Sequence, residues 1–140
     1  MAERTGLGGS ELAALRNRLE SEPDILVAYL FGSRATGWQH ALSDLDVAIV
    51  TGEGADDHAL RVRLASDLEG ALGRPVDVVA LRGSGPDLAW PVHRDGLLIL
   101  NRDESARVDA HWLAWREYAD TEHLRHLRDQ ALRAWYQGET

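Results

Sequence analysis

Four short apolar runs alternate along this 140-residue chain with segments whose apolar residues recur every three or four positions. In the first segment Ser10 is expected to cap a helix with Leu12, Leu15 and Leu19 on one stripe, closed by Pro23-Asp24. A buried strand follows over residues 25–31 (ILVAYLF), and a second over 44–51 (DLDVAIVT). Between them a short helix is expected from Ser33, failing by Gly37. Asp56 or Asp57 then caps a helix with Leu60, Leu64, Leu68 and Leu72 four apart, and Gly73 stops it. Pro75 opens a third strand over 75–81, and residues 97–100 form a fourth. A short helix over 87–94 lies between these two, kinked or confined to one side by Pro91. Residues 103–136 read as helix almost throughout. Unbroken, that helix is about 50 Å long, whereas a compact domain of this size is about 35–40 Å across. A break near Asp120-Thr121, or projection from the domain, is therefore expected.

Strands interleaved with helices indicate an α/β fold, a small sheet of about four strands with helices packed against it. The expected organisation is a flexible lead over 1–9, a core over 10–102 and a helical segment over 103–140. That tail carries Trp112, Trp115, Tyr118, Trp135 and Tyr136. Its first half is expected to pack on the core. Its second half, from Leu124 onward, is expected to meet a partner, since aromatics are enriched among interface anchors.

Composition narrows the class. Apolar residues make up 44% and charged residues 27%, as in a globular domain. Cysteine is absent, so disulfides and thiolate metal sites are excluded. No apolar run is long enough to span a membrane and the N-terminus does not look like a signal, so a cytoplasmic setting is expected. The net charge of −8 argues against direct nucleic-acid binding. All 15 basic residues are arginines, so basic contacts to phosphate fall to Arg or His.

The densest candidate chemistry is Gly32-Ser33, ten residues, then Asp44-Leu45-Asp46. A glycine at a strand end lets backbone approach a ligand closely. If Ser33 opens a helix, its hydroxyl and the neighbouring amides form an anion seat, and the Arg34 guanidinium suits phosphate oxygens. Asp44 and Asp46, two apart on a strand, share a face, while Leu45, Val47 and Ile49 point to the core. Neighbouring carboxylates repel unless a cation lies between them, and Mg²⁺ commonly bridges carboxylates to phosphates. Asp77, a lone acid in the third apolar run, completes a set of three if that strand lies beside the second. Such a set suits two-metal phosphoryl or nucleotidyl transfer. Taken singly each residue is ordinary: a turn aspartate, an N-cap serine, a satisfied edge acid, a solvated arginine. The constellation carries the argument. His111, His123 and His126 read as surface residues and not as a metal site. His40 and His93 lie where contact with a nucleotide is conceivable, although their spacing does not demand it.

On these motifs the chain resembles minimal nucleotidyltransferases of the polymerase-beta-like superfamily. More narrowly it resembles the MNT antitoxins of HEPN/MNT toxin–antitoxin pairs. The likeness rests on Gly32, Ser33, Asp44, Asp46 and Asp77, extends loosely to residues 93–105 and 116–120, and covers roughly residues 10–120. It implies the nucleotidyltransferase fold with a small mixed sheet. It implies Gly32, Ser33 and Arg34 as nucleotide-binding residues, and Asp44, Asp46 and Asp77 as both catalytic residues and ligands of two Mg²⁺ ions. ATP is then the AMP donor, and the acceptor is a tyrosine hydroxyl of a cognate HEPN-type ribonuclease toxin, which the modification silences. The partner is that toxin, in a hetero-oligomer. Two alternatives stand beside this: an antitoxin that acts by binding alone, and a nucleotidyltransferase of small molecules such as antibiotics. The roughly forty residues beyond the core are few for holding a small acceptor. The intact acid set argues against lost chemistry.

Overall fold

The structure, a computed structural model, describes residues 7–32 and 44–138. In chain order the elements are α1 (Gly9–Glu20), β1 (Ile25–Phe31), β2 (Leu45–Thr51), α2 (Asp57–Leu72), β3 (Val76–Ala80), α3 (Pro86–Asp95), β4 (Leu97–Asn101), α4 (Glu104–Asp120) and α5 (Glu122–Gly138). The sheet order is β3-β2-β1-β4. β1 pairs antiparallel with β2 and β4, and β2 pairs parallel with β3, so the sheet is mixed as expected. The parallel pair needs a crossover, and α2 supplies it.

Both faces of the sheet are covered, which is why β1 and β2 read as almost continuous apolar runs. On one face Leu45, Val47 and Ile49 of β2 meet Leu12, Leu15 and Leu19 of α1 and Leu60, Leu64 and Leu68 of α2. On the other, Val27, Tyr29, Ala48 and Val50 lie under Ala89 and Val92 of α3 and Ala114 of α4. The ends of α2 are set as the sequence suggests. The Asp56 side chain accepts from the Ala59 N–H at 3.1 Å, and Gly73 closes the helix at φ 69°, where a side chain is disfavoured. An Arg18–Glu22–Arg63 network, with Arg18 also on Asp67 and contacts of 2.8–3.0 Å, ties the end of α1 to α2.

Three expectations are corrected. Helix α1 starts at Gly9 with Gly8 as its cap, not at a Ser10 cap. The Glu11 carboxylate reaches back to accept from the Gly8 N–H at 3.2 Å, satisfying that end without a serine. Leu7, inside the stretch expected as a lead, is buried in the core. In α4, Trp112 and Trp115 do not pack on the sheet layer but stay exposed. Small residues make the close approach to the core there (Ala110 and Ala114, one turn apart), which turns the larger neighbours outward. The break in the tail falls where expected, at Thr121, whose hydroxyl donates to the carbonyls of Glu117 and Tyr118 at 3.1 Å. Helix α5 beyond it has no buried residue. No helix among the described residues is long and apolar enough to cross a membrane.

Leu64 is fully buried between α2 and the sheet. Leu64→Ala is expected to lower unfolding free energy by about 2–5 kcal/mol. Urea unfolding checks this: the midpoint drops at unchanged slope, and a loss below about 1 kcal/mol contradicts the packing described.

Candidate active site

The candidate site lies at one end of the sheet, on the face shared with α3 and α4. In the strand register Phe31 stands opposite Asp46, and Asp46 stands opposite Asp77. Residues directly opposite on adjacent strands share a face. Hence Asp46 and Asp77 project together, past the end of the apolar rows formed by Tyr29, Ala48 and Val79. The long-range reading of Asp77 depended on β3 lying beside β2, and it does. Asp44 sits just before β2, exposed; Asp77 is also exposed, and Asp46 is half-buried. Ser33 and Arg34, expected to bind the nucleotide, and His40 lie outside the described residues, as does the helix expected to start at Ser33.

Gly32 makes a close approach to the acids. It follows β1 at φ 74°, and a Cβ placed on it would stand 2.6 Å from Oδ2 of Asp46. Two independent constraints therefore require glycine: the left-handed backbone and the carboxylate beside it. Gly96, between α3 and β4, is crowded by backbone in the same way. A Cβ there would stand 2.4 Å from the Val92 carbonyl oxygen and 3.4 Å from that of Leu30. This joint fixes the end of α3 against the same end of β1.

The charge arrangement is unfavourable on its own. Burial pushes the Asp46 carboxyl above its usual range, and Asp77 and then Asp44 push it further in the same direction. A raised carboxyl contributes stability below the ordinary carboxylate range, and that contribution is lost as pH rises through the raised pKa. At neutral pH the ionised Asp46 is thus a standing cost to the fold. Among the described residues no group of three Asp, Glu or His side chains is already gathered to hold a metal ion. The donor chemistry nonetheless fits a hard divalent cation: the three side chains offer oxygens only, and a cation relieves the repulsion that raises Asp46.

His93 turns into the core. It is buried, its Nδ1 stands 3.2 Å from the Tyr29 hydroxyl, and its ring lies edge-on to those of Tyr29 and His111. Burial, then His111 and Arg107, hold its pKa down at about 4, so it is a neutral core residue. Sequence reasoning missed this inner cluster. Its signal was Tyr29, a polar-tipped side chain in an aliphatic strand. A cavity of about 560 Å³ opens at the opposite end of this face, beside Thr51, Leu81 and Gly85. Its walls are largely apolar, and Glu53, Asp109 and Glu117 outnumber the single arginine, Arg82, so the lining as a whole disfavours a triphosphate. The end bearing the acids, not this cavity, is suited to phosphate chemistry.

A mixed sheet of this order, with acids at the start of β2 and β3 and a glycine turn over them, defines a nucleotidyltransferase-type fold. Residues 14–105 match the family described as Polymerase beta, Nucleotidyltransferase, and the chain belongs to that family. Among proteins of known activity it is similar to the protein adenylyltransferase MntA of Shewanella oneidensis, at 39% identity over 74 residues. That match covers 53% of this chain, and the chain spans about half the length of the relative, 52%. Among solved structures it is similar to a toxin–antitoxin crystallised with AMP-PNP, at TM-score 0.75 and 26% identity, over 91% of this chain and 100% of that one. A tri-AMPylated Shewanella oneidensis HEPN toxin in complex with an MNT antitoxin shares the fold, at TM-score 0.61 and 24% identity, over 89% of this chain and 98% of that one.

Asp46→Asn is expected to raise the thermal midpoint of the metal-free protein at pH 7, because it removes the buried like charge. The gain shrinks as pH falls through the raised pKa of Asp46, below which its carboxyl is neutral. Paired thermal melts at pH 7 and pH 4 check this. A lower midpoint for the variant at pH 7 contradicts the electrostatics described.

Proposed function

We propose that this chain is an antitoxin nucleotidyltransferase that transfers AMP from Mg-ATP to a tyrosine hydroxyl of a cognate HEPN-type toxin, in the cytoplasm. The observation that carries the reading is the register that sets Asp46 beside Asp77, with the Asp46 carboxylate under Gly32. Membership of the nucleotidyltransferase family supports it. So does the likeness to an adenylyltransferase and to a toxin–antitoxin pair holding an ATP analogue.

In this reading Asp44, Asp46 and Asp77 are the residues that would hold the Mg²⁺ ions. Bound Mg²⁺ supplies charge neutralisation at the phosphates and acidifies the acceptor hydroxyl. Ser33 and the amides around it seat the β- and γ-phosphates, and Arg34 pairs with their oxygens. Gly32 keeps the backbone close to the nucleotide and leaves the Asp46 carboxylate its room. Asp77 accepts the tyrosine proton. The tyrosine oxygen then attacks the α-phosphorus in line, a new P–O bond forms, and the bond to pyrophosphate breaks. Strand pairing on both sides fixes the backbone that carries Asp46, so positioning does much of the work in this reading.

The test is intact mass spectrometry of the toxin, co-expressed with this chain or with its Asp46→Asn variant. The expected result is a toxin heavier by one or more AMP units only with the unsubstituted chain. Asp77→Asn is expected to reduce turnover while retaining ATP binding. Adduct formation by a folded Asp46→Asn protein contradicts the assignment. A silenced toxin of unchanged mass in a stable complex favours neutralisation by binding.

A further inference from the structure

Of the nine large hydrophobic side chains exposed among the described residues, eight lie on α4 and α5, and the ninth is Val62. On α5, Leu124, Leu127, Ala131 and Trp135 recur at three- and four-residue spacing, and so form one stripe. Leu124 is 63% exposed and Trp135 59%. A 17-residue helix is only marginally stable without tertiary packing, yet α5 buries no residue.

It is nevertheless held in a defined pose. The Arg125 guanidinium stacks on the Tyr118 ring at 3.4 Å, donating to the Tyr118 carbonyl and the Thr121 hydroxyl at 2.6 Å each. Arg125 and Arg128 also lie 3.8 and 3.5 Å from the carboxylate of Asp87, in the first turn of α3. The elbow encloses a groove of about 500 Å³ floored by Trp90, Trp115 and Tyr118. An apolar stripe braced away from its own core is preorganised for another surface.

We propose that the apolar stripe of α5, on the helix face turned away from that groove, is the docking surface for the toxin. This rests on the functional reading above. Two observations support that occupant. A similar chain, aligned with this one along nearly its whole length, is found within a toxin–antitoxin structure. The exposed side chains on α4 and α5 are enough to supply much of the ~800 Å² that each partner gives to a standard interface.

The position has a consequence for transfer. Helix α5 is anchored at Asp87, beside the C-terminal end of β3, whereas the acids stand near the N-terminal ends of β2 and β3. Along β3, Asp77 is about 10 Å from that C-terminal end. Docking and chemistry therefore use separate residues, and the dock affects toxin capture without touching ATP.

The test compares the unsubstituted chain with a Leu124→Asp, Trp135→Asp double variant. Both positions are exposed, so the fold is expected to hold, with unchanged circular dichroism and melting. Co-elution with the toxin is expected to be lost, or the Kd raised at least tenfold. The KM for toxin rises at least tenfold while that for ATP stays unchanged. An undiminished complex with the double variant overturns the proposal. So does a dimer of the free chain that the double variant breaks while toxin binding persists; the stripe then belongs to a second copy. A complex that needs α5 but transfers no AMP leaves the dock standing and defeats the transfer reading instead.

Discussion

The half-buried carboxylate of Asp46 is the point on which the site depends. Its place is set by hydrogen-bonded pairing on both sides, with Phe31 of β1 and Asp77 of β3. Its room is set by Gly32, where even a methyl group would collide with it. Behind it the rows Tyr29, Ala48 and Val50 are packed under α3 and α4, and Leu45, Val47 and Ile49 under α1 and α2. The apolar layers thus hold an acid where burial and two like charges resist its ionisation. Such an arrangement costs stability when empty and gains most from a divalent cation, which is how binding energy becomes a precondition for chemistry.

Much of this was legible in the sequence because it is local. The limits of β1, the αL stop at Gly73 and the break at Thr121 follow from apolar periodicity, glycine's backbone freedom and a length that one helix cannot fit. The clustering of Asp44, Asp46 and Asp77 was legible only conditionally, since it needs β3 beside β2, and strand order is a long-range property. The resemblance to a known family supplied what periodicity did not, the mixed sheet.

What was misread has physical causes as well. The start of α1 was misplaced because a glutamate, not a serine, satisfies the first amide. Trp112 and Trp115 were assigned to the core because tryptophans usually bury, but the helix seam is built from alanines. His93 lay in a helix near the site by chain position, yet its ring turns inward to Tyr29, an orientation that spacing alone does not encode. The chain divides its labour accordingly: an acidic sheet end packed between helices, and a helix braced by its arginines that displays its apolar side chains.

The most direct test of the central claim is the pH titration of the Asp46 side-chain carboxyl by ¹³C NMR, in the metal-free protein and again with Mg²⁺ and AMP-PNP. The account predicts a midpoint above the ordinary aspartate range without metal, falling clearly when the cation and nucleotide are added. An ordinary midpoint that Mg²⁺ and nucleotide leave unchanged would contradict it.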